Sequence, residues 1–267
     1  MNWELLTSPE FEKAVKKCGR VCLLPFGVVE KHGDHLPLGM DAIAIHEVAT
    51  KAAERETAMV FPSFYLGQIC EARHVPGTIA LRPDLLAPVL ENMCDEIGRN
   101  GFTKVLIVNG HGGNIDFLKF FSMTMLGRDK EYMLYVCQPW CDNKEASAHL
   151  ESPSGGGHGG EAETSVMMHL CPEIVKYRTY GKYGKALGRF DRFRKEGVES
   201  GIWWYADYPG HFAGDQTPCT AQKGKKIQQA HVNTLVRQIR VVKKDDAPAR
   251  LYREFLKRAK KPANRFP

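Results

Sequence analysis

The sequence predicts a single α/β domain in which helices cover both faces of a mostly parallel sheet, and three observations support this fold class. Apolar runs such as "KVLIV" are typical of strands that are buried on both faces. These runs alternate with segments of helical periodicity, as expected for βαβ units. The 267 residues are 43% hydrophobic and 25% charged, which is enough apolar material for one sizeable core. We find no internal repeat and expect one domain over 1–267.

The first half of the chain predicts a strand, a helix, a strand and a second helix. "VCLLPFGVV" (21–29) is an apolar run broken by a proline and a glycine, so we expect a buried strand that leads into a loop. "DAIAIHEVATKAAERE" (41–56) has apolar residues at helical spacing, and "AMVFPSFYLG" (58–67) is the second strand. "RPDLLAPVLENMCDEIGRNG" (82–101) is a helix with proline in its first turn and glycine just past its end.

The second half continues the alternation. "TKVLIVNG" (103–110) is the clearest parallel strand, because its apolar run is uninterrupted and ends in Asn-Gly. "NIDFLKFFSMTMLG" (114–127) predicts a helix and "YMLYVCQPW" (132–140) a strand. Two further helices are predicted at 160–172, where a proline ends the pattern, and at 224–242, which is amphipathic.

Two segments do not follow this alternation. The stretch 176–210 lacks periodicity and is too long for a plain loop, so we expect it to be functional or interfacial. Its adjacent Trp203 and Trp204 should contact a neighbouring subunit or the mouth of a site, and packing in a satellite core is the alternative. The basic tail 243–267 is interpreted as a solvated helix face.

Composition argues against several classes of protein. The net charge is only +6 and no basic stripe with interleaved aromatic residues is present, so a nucleic-acid partner is not expected. No apolar run approaches the ~18 residues of a membrane span, and the N-terminus lacks the features of a signal peptide. The eight cysteines occur singly, as in reduced cytosolic proteins, and Cys137 and Cys141 alone would give a metal only two ligands. We therefore expect a cytoplasmic protein without membrane partners.

Three clusters of acids and histidines follow the ends of predicted strands. "EKHGDHLPLGMD" (30–41) follows the first strand, "NGHGGN" (109–114) follows the third, and "GGGHGGEAET" (155–164) follows the fourth and opens a helix. Ligands of parallel sheets bind beyond the carboxyl ends of the strands. We therefore expect the three clusters to meet at one edge of the sheet.

The residue types in these clusters predict a dinuclear metal site. The carboxylates of Glu30, Asp41 and Glu161, combined with the imidazoles of His32 and His111, select Zn, Mn, Fe or Co over Ca or Mg. Five protein ligands are too many for a closed tetrahedral zinc site. Two ions that share a carboxylate fit better, and such a pair can hold a hydroxide. We therefore expect two divalent transition metals per chain.

The other histidines are interpreted differently. His46, His169 and His231 fall inside predicted helices and are taken as structural. His35 follows His32 closely, but the next residues, "LPLG", favour a packed side chain over a metal ligand. The glycines of "HGGN" and "GGGHGG" leave room for close backbone approach to a ligand, and their spacing is not that of a nucleotide loop.

The motifs resemble those of the creatininase family (creatinine amidohydrolases). "GVVEKHGDHLPLGMD" (27–41), "HVPGTIAL" (74–81), "NGHGGN" (109–114) and "HGGEAETS" (158–165) follow the order of the family's "GSxEQHGPHLPLxTD", "PGT", "NGHGGN" and "HAGExETS". "GDQTPCTAQKG" (214–224) is similar to the family's C-terminal segment. The resemblance covers about 21–224.

The resemblance implies a three-layer α/β hydrolase that acts on a small molecule and forms a homohexamer. Carried over by position, the metal ligands would be Glu30, His32, Asp41, His111 and Glu161. Asp41 would bridge the two metals. His158 would be the catalytic proton carrier, and His74 would lie close to the site and bind substrate.

The chain departs from the family pattern in ways that bear on the substrate. Lys31, Asp34 and Met40 replace Gln, Pro and Thr, and Asp34 is either a spare acid or a turn cap. Gly113 stands where creatininase proper has an acidic ligand, so Glu161 would supply that carboxylate, and creatinine itself is not the expected substrate.

The leading expectation for the function is hydrolysis of a small cyclic amide or related C–N substrate. Alternatives within the family are a formamide, a peptide or a cyclic diketone derived from inositol. A non-enzymatic metal-binding member is the rival class, but such a protein would not need a proton carrier at position 158.

Overall fold

The structure is a computed structural model that describes residues 1–152, 156–176, 184–244 and 246–263. Its strands are β1 (Val21–Phe26), β2 (Met59–Val60), β3 (Lys104–Asn109), β4 (Met133–Cys137), β5 (Gly157–His158) and β6 (Ala213–Gly214). Its helices are α1 (Ser8–Lys17), α2 (Met40–Arg55), α3 (Pro83–Arg99), α4 (Asn114–Thr124), α5 (Lys144–Ser147), α6 (Glu161–Leu170), α7 (Asp191–Lys195), α8 (Trp203–Asp207), α9 (Ala221–Lys244) and α10 (Ala247–Ala259).

The first four strands form one parallel sheet in the order β2-β1-β3-β4. Side chains of β1 alternate between its two faces, as the pleat requires. Cys22, Leu24 and Phe26 pack with α1, α3 and α4, whereas Val21 and Leu23 pack with α2 and α9. Helices therefore cover both faces of the sheet, and the predicted fold class is confirmed.

The second strand is much shorter than predicted. β2 ends at Val60, and the N–H of Phe61 still donates to the Leu23 carbonyl at 2.9 Å. Pro62 follows and has no N–H to continue the ladder. The residues after it therefore form a loop and not a strand, with Phe64 buried and Tyr65 exposed.

The C-terminal tail and the irregular segment also take defined structure. The tail forms α10, which buries none of its residues, as expected for a solvated helix. The described part of the irregular segment contains α7 and α8, while 177–183 lie outside the described residues. None of the helices in the ranges that the structure describes is long and apolar enough to cross a membrane.

The contact between α6 and α9 depends on one glycine. A Cβ atom on Gly224 would lie 1.8 Å from the carbonyl oxygen of Ser165. Only a residue without a side chain therefore lets the two helices approach this closely. Because α6 leads out of the third acid/histidine cluster, this contact helps to place that cluster.

We expect Gly224→Ala to lower the free energy of unfolding by about 1–3 kcal/mol, although alanine is the better helix former, because the added methyl group must push α9 away from α6. Gly127→Ala is the matched control, since a Cβ at Gly127 would meet nothing within 4 Å, and its effect should stay within about 0.5 kcal/mol. Urea denaturation measures both variants. Equal stability of the two would contradict the packing argument.

Candidate metal centre

Two adjacent strand ends and one helix N-terminus bring the central side chains together. Glu30 follows β1, and His111 follows its parallel neighbour β3. Asp41 lies in the first turn of α2. This turn sits against both strand ends, because a Cβ on Gly27 or Gly110 would approach the Asp41 carbonyl group within 3.0 or 2.9 Å.

The carboxylate of Asp41 lies between two imidazoles. Its Oδ1 is 3.2 Å from His32 Nε2, and its Oδ2 is 3.0 Å from His111 Nδ1. Glu30 Oε1 is 2.8 Å from His111 Nδ1 and 3.7 Å from His32 Nε2. All four side chains are buried. The structure therefore brings together four of the five side chains that the sequence nominated as ligands.

Several polar atoms of this cluster lack hydrogen bonds. Glu30 Oε1, His32 Nε2 and Asp41 Oδ2 are buried and make no hydrogen bond of good geometry in the described part of the chain, although His111 Nδ1 lies 2.8 Å from Glu30 Oε1 and 3.0 Å from Asp41 Oδ2. Buried polar atoms without partners are rare in native proteins, and a site that binds an ion is one common explanation. One oxygen or nitrogen atom each from Glu30, Asp41 and His111 lies within 4.8 Å of the others. This mixed donor set fits a divalent transition metal.

The electrostatics of the cluster favour positive charge. Burial opposes a charge on His32, but Asp41, Glu163 and Glu30 outweigh it and raise the pKa of His32 to about 10. Burial likewise opposes a charge on His111, yet Glu30 and Asp41 hold its pKa well above the ordinary value. The pKa of Glu30 is lowered well below its usual range, because His111 and His32 overcome the effect of burial. The carboxylates therefore create a site that attracts cations.

Glu163 faces this cluster, and Glu161 does not. Glu163 Oε2 lies 3.8 Å from His32 Nε2 and accepts the N–H of Gly159 at 2.6 Å. Residues two apart on a helix point about 200° apart around its axis, so only one of the two acids can face the site. The structure therefore does not place Glu161 in the cluster, contrary to the expectation from the sequence, and Glu163 is the acid of α6 that faces it.

Glu161 has structural contacts instead. Its carboxylate is fully buried and accepts a hydrogen bond from the Lys223 ammonium at 2.6 Å. It also accepts hydrogen bonds from the backbone N–H groups of Glu151, at 3.0 Å, and Ser152, at 2.7 Å. Burial opposes ionisation, but Lys223 and these backbone donors lower the pKa of Glu161. Because Lys223 lies in the first turn of α9, this carboxylate fastens α9 to the start of α6.

His158 lies beside the cluster. Its Nε2 is 2.7 Å from the Lys31 carbonyl oxygen, and its ring stacks on His32 with centroids 4.2 Å apart. A carbonyl oxygen only accepts, so Nε2–H is the donor and Nδ1 keeps the lone pair. Burial and the nearby His32 lower the pKa of His158 to about 3. His158 is therefore neutral at pH 7, and its ring lone pair lies on Nδ1.

His211 completes the cluster, and the sequence analysis did not identify it. Its Nε2 is 2.6 Å from Glu30 Oε2, and its side chain is buried. It belongs to "DYPGHF" (207–212), which matches none of the motifs. A histidine directly after Pro-Gly was the only local signal, and it does not distinguish a site residue from a turn residue.

The remaining candidates lie outside the cluster. His74 is exposed, and its Nε2–H donates to the carbonyl oxygen of Pro209 at 2.9 Å. His35 is buried, with its Nε2 2.8 Å from Thr164 Oγ1, as expected for a packed side chain. Asp34 pairs with Lys31 at 2.7 Å and is mostly exposed, so it is not a spare acid of the site.

The cluster opens into a cavity of about 1530 Å³. One wall contains Arg73 and His74, together with Trp203, Trp204 and Tyr205 of the irregular segment. This confirms the expectation that the paired tryptophans contact the mouth of the site. Another part of the wall is apolar and comes from α6, α9 and residues near α5, including Ala146, Leu150, Val166 and Ile227.

The chain is similar to known proteins over most of its length. The model of the creatininase family, described as creatinine amidohydrolase, matches residues 4–239. A creatinine amidohydrolase from Pseudomonas putida is 28% identical over 187 residues, which cover 64% of this chain and 72% of the relative. A mycofactocin precursor peptide peptidase from Mycobacterium tuberculosis is 28% identical over 238 residues, which cover 81% of this chain and 83% of the relative. A 2-amino-5-formylamino-6-ribosylaminopyrimidin-4(3H)-one 5'-monophosphate deformylase from Methanobrevibacter smithii is 27% identical over 171 residues. These residues cover 58% of this chain and 66% of the relative.

Solved structures share the fold. A crystal structure of creatinine amidohydrolase (creatininase) superposes with a TM-score of 0.77 at 23% identity and covers 91% of this chain and 98% of that one. A manganese creatininase gives a TM-score of 0.73 at 22% identity, covering 91% and 99%. A variant creatininase of Zn–Zn type gives 0.72 at 23% identity, covering 91% and 98%.

The two glutamates of α6 should respond differently to substitution. We expect Glu163→Gln to lower bound metal from about two ions per chain to about one, because it removes a charged ligand. Glu161→Gln should keep its metal but lose about 1–3 kcal/mol of stability, because Lys223 loses its buried partner.

Elemental analysis of both purified variants measures bound metal, and urea denaturation measures their free energy of unfolding. Loss of metal from Glu161→Gln with full occupancy in Glu163→Gln would restore Glu161 as the ligand.

Proposed function

The chain belongs to the creatininase family, and from this membership we propose that it is a metal-dependent hydrolase of C–N bonds with a dinuclear centre. When bound, the metals would supply a nucleophile from water at neutral pH and polarise the carbonyl group under attack. Family relatives include a creatinine amidohydrolase, a peptidase and a deformylase, all of which break C–N bonds. The manganese and Zn–Zn creatininases support Mn or Zn, and Fe is a third candidate.

The arrangement of Asp41 is the observation that carries this proposal. Each of its carboxylate oxygens faces a different histidine, at 3.2 Å from His32 and 3.0 Å from His111. One ion would be held by Glu30, Asp41 and His111, and the other by His32, Asp41 and Glu163. Asp41, shared in this way, would let both ions act on one substrate.

His158 would move protons beside the metals. Nε2–H is engaged with the Lys31 carbonyl, so Nδ1 is the atom that can take a proton and pass it to the leaving nitrogen. The hydrogen bond fixes the ring, and the neighbouring Gly157 and Gly159 place no side chain in its way. A protein that only stored metal would have no need for such a group.

The cavity favours a substrate larger than creatinine. Its volume of about 1530 Å³ exceeds the ~300–1,000 Å³ of typical small-molecule sites. The apolar part of the lining and the Arg73 guanidinium suit an amide with an apolar group and a negatively charged group. A short peptide has both, and a formylated nucleotide has the charge. We also expect the protein to be a cytoplasmic homohexamer. Light scattering of the purified protein would measure the mass of the oligomer.

A hydrolysis screen tests the proposed activity. We expect metal-loaded protein to cleave a member of a panel of short peptides, formamides, cyclic ureides and lactams, with inosose-type diketones included as the C–C alternative. Removal of metal by a chelator should abolish cleavage, and Mn or Zn should restore it. Turnover that survives complete metal removal would refute the proposal.

We expect His158→Ala to keep both metals and lose roughly 10²–10⁴ in turnover, the usual size of a general acid–base contribution. His158→Asn is a useful second variant, because the asparagine amide can still donate to the Lys31 carbonyl but has no titratable group. Metal analysis and turnover are measured on the same preparation. Metal loss in His158→Ala, with activity partly regained in excess metal, would instead make His158 a ligand.

A further inference from the structure

We propose that Trp204 is a positioning residue that, together with Glu30, fixes the tautomer and the ring orientation of His211, and that His211 in turn aims Glu30 at the candidate metal centre. The part of this inference that concerns metal rests on the proposed function. The part that concerns the tautomer rests only on two hydrogen bonds between buried and half-buried side chains.

The first hydrogen bond joins Trp204 to His211. The indole Nε1–H lies 2.9 Å from His211 Nδ1. An indole nitrogen can only donate, so Nδ1 must accept and carries no proton. A neutral imidazole has one donor and one acceptor, so the proton of His211 resides on Nε2.

The second hydrogen bond joins His211 to Glu30. His211 Nε2–H donates to Glu30 Oε2 at 2.6 Å, and both side chains are only 1% exposed. With Oε2 held in this way, Glu30 presents Oε1 to His111, 2.8 Å away. The hydrogen bond therefore decides which carboxylate oxygen is available to a metal.

The same two bonds argue against His211 as a metal ligand. An atom each of His211, Glu30 and His158 lies within 4.8 Å of the others, so distance alone allows such a role. Ligation through Nε2 would require that nitrogen to lose its proton while Nδ1 still accepts from Trp204. The ring would then carry no proton at all, which a neutral imidazole does not permit.

The backbone at His211 is held in a special conformation. His211 has φ = 52°, in the left-handed region that side chains rarely adopt. Its N–H donates to the Tyr208 carbonyl at 2.9 Å, which closes the turn. Such conformations persist only where the surroundings hold them, and they are concentrated at functional sites.

The irregular segment holds Trp204 in place through two arginines. Arg189 donates to the carbonyl groups of Tyr205, at 2.8 Å, and Ala206 at the end of α8. Arg194 donates to the buried carboxylate of Asp207 at 2.6 Å. The segment therefore reaches the metal centre through a chain of hydrogen bonds that ends at Glu30, in addition to forming the cavity wall.

Trp204→Phe tests this inference, because it keeps an aromatic ring and removes only the donor. Trp203→Phe is the matched control, since none of the hydrogen bonds described for the segment involves the Trp203 indole. In metal-free protein, ¹⁵N NMR of the imidazole nitrogens should show His211 as a single Nε2–H tautomer in the wild type and in Trp203→Phe. In Trp204→Phe the Nε2–H should remain, because Glu30 still accepts from it, while the ¹⁵N shift of Nδ1 should change, because that nitrogen has lost its donor.

Chelator competition then measures metal affinity. We expect Trp204→Phe to bind metal about 10- to 100-fold more weakly, the usual effect of losing a group that orients a ligand, and Trp203→Phe to match the wild type. A wild-type His211 protonated on Nδ1 would overturn the inference without any variant. An unchanged Nδ1 shift and an unchanged affinity in folded Trp204→Phe would also overturn it. If the wild type binds no metal, the proposed function fails, while the tautomer measurement still decides the role of Trp204.

Discussion

The burial of the Asp41 carboxylate between two imidazoles is the constraint on which the rest of the site depends. Buried charges are costly unless each has a partner, and here acids and histidines are packed together at the edge of the sheet. His32 and His111 each approach one oxygen of Asp41, and Glu30 is within reach of both histidines. The close approach of α2 to the ends of β1 and β3 is what allows this, and two glycines make that approach possible.

The acidic residues divide into those that face the cluster and one that supports it. Glu163 faces His32, whereas Glu161 is turned toward Lys223 and the backbone of 151–152. Lys223 and Gly224 are adjacent, and together they join the first turn of α9 to α6 by charge and by close packing. A motif that looks catalytic in the sequence therefore carries both a candidate ligand and a structural anchor.

The irregular segment supplies what the regular elements cannot. The sheet edge and α2 place Glu30, Asp41 and His111, but nothing in them holds the second oxygen of Glu30. The loop after α8 provides His211, and α8 provides Trp204, which orients it. The same helix forms part of the cavity wall. Changes in this segment are therefore expected to affect both substrate fit and metal binding.

Local sequence determined the parallel sheet, its helical layers and the edge at which the acids and histidines meet. Uninterrupted apolar runs specify strands buried on both faces, and residues directly after neighbouring strands must lie close together. The proximity of Glu30 and His111 was predictable for that reason, whereas Asp41 reaches them from the first turn of α2. The tertiary structure alone decided two further points. The rotation of α6 about its axis selects Glu163 over Glu161, because packing against α9 sets that rotation and acids two residues apart point in opposite directions. The position of His211 depends on a turn with positive φ and on contacts with residues far away in the chain, which no local pattern encodes.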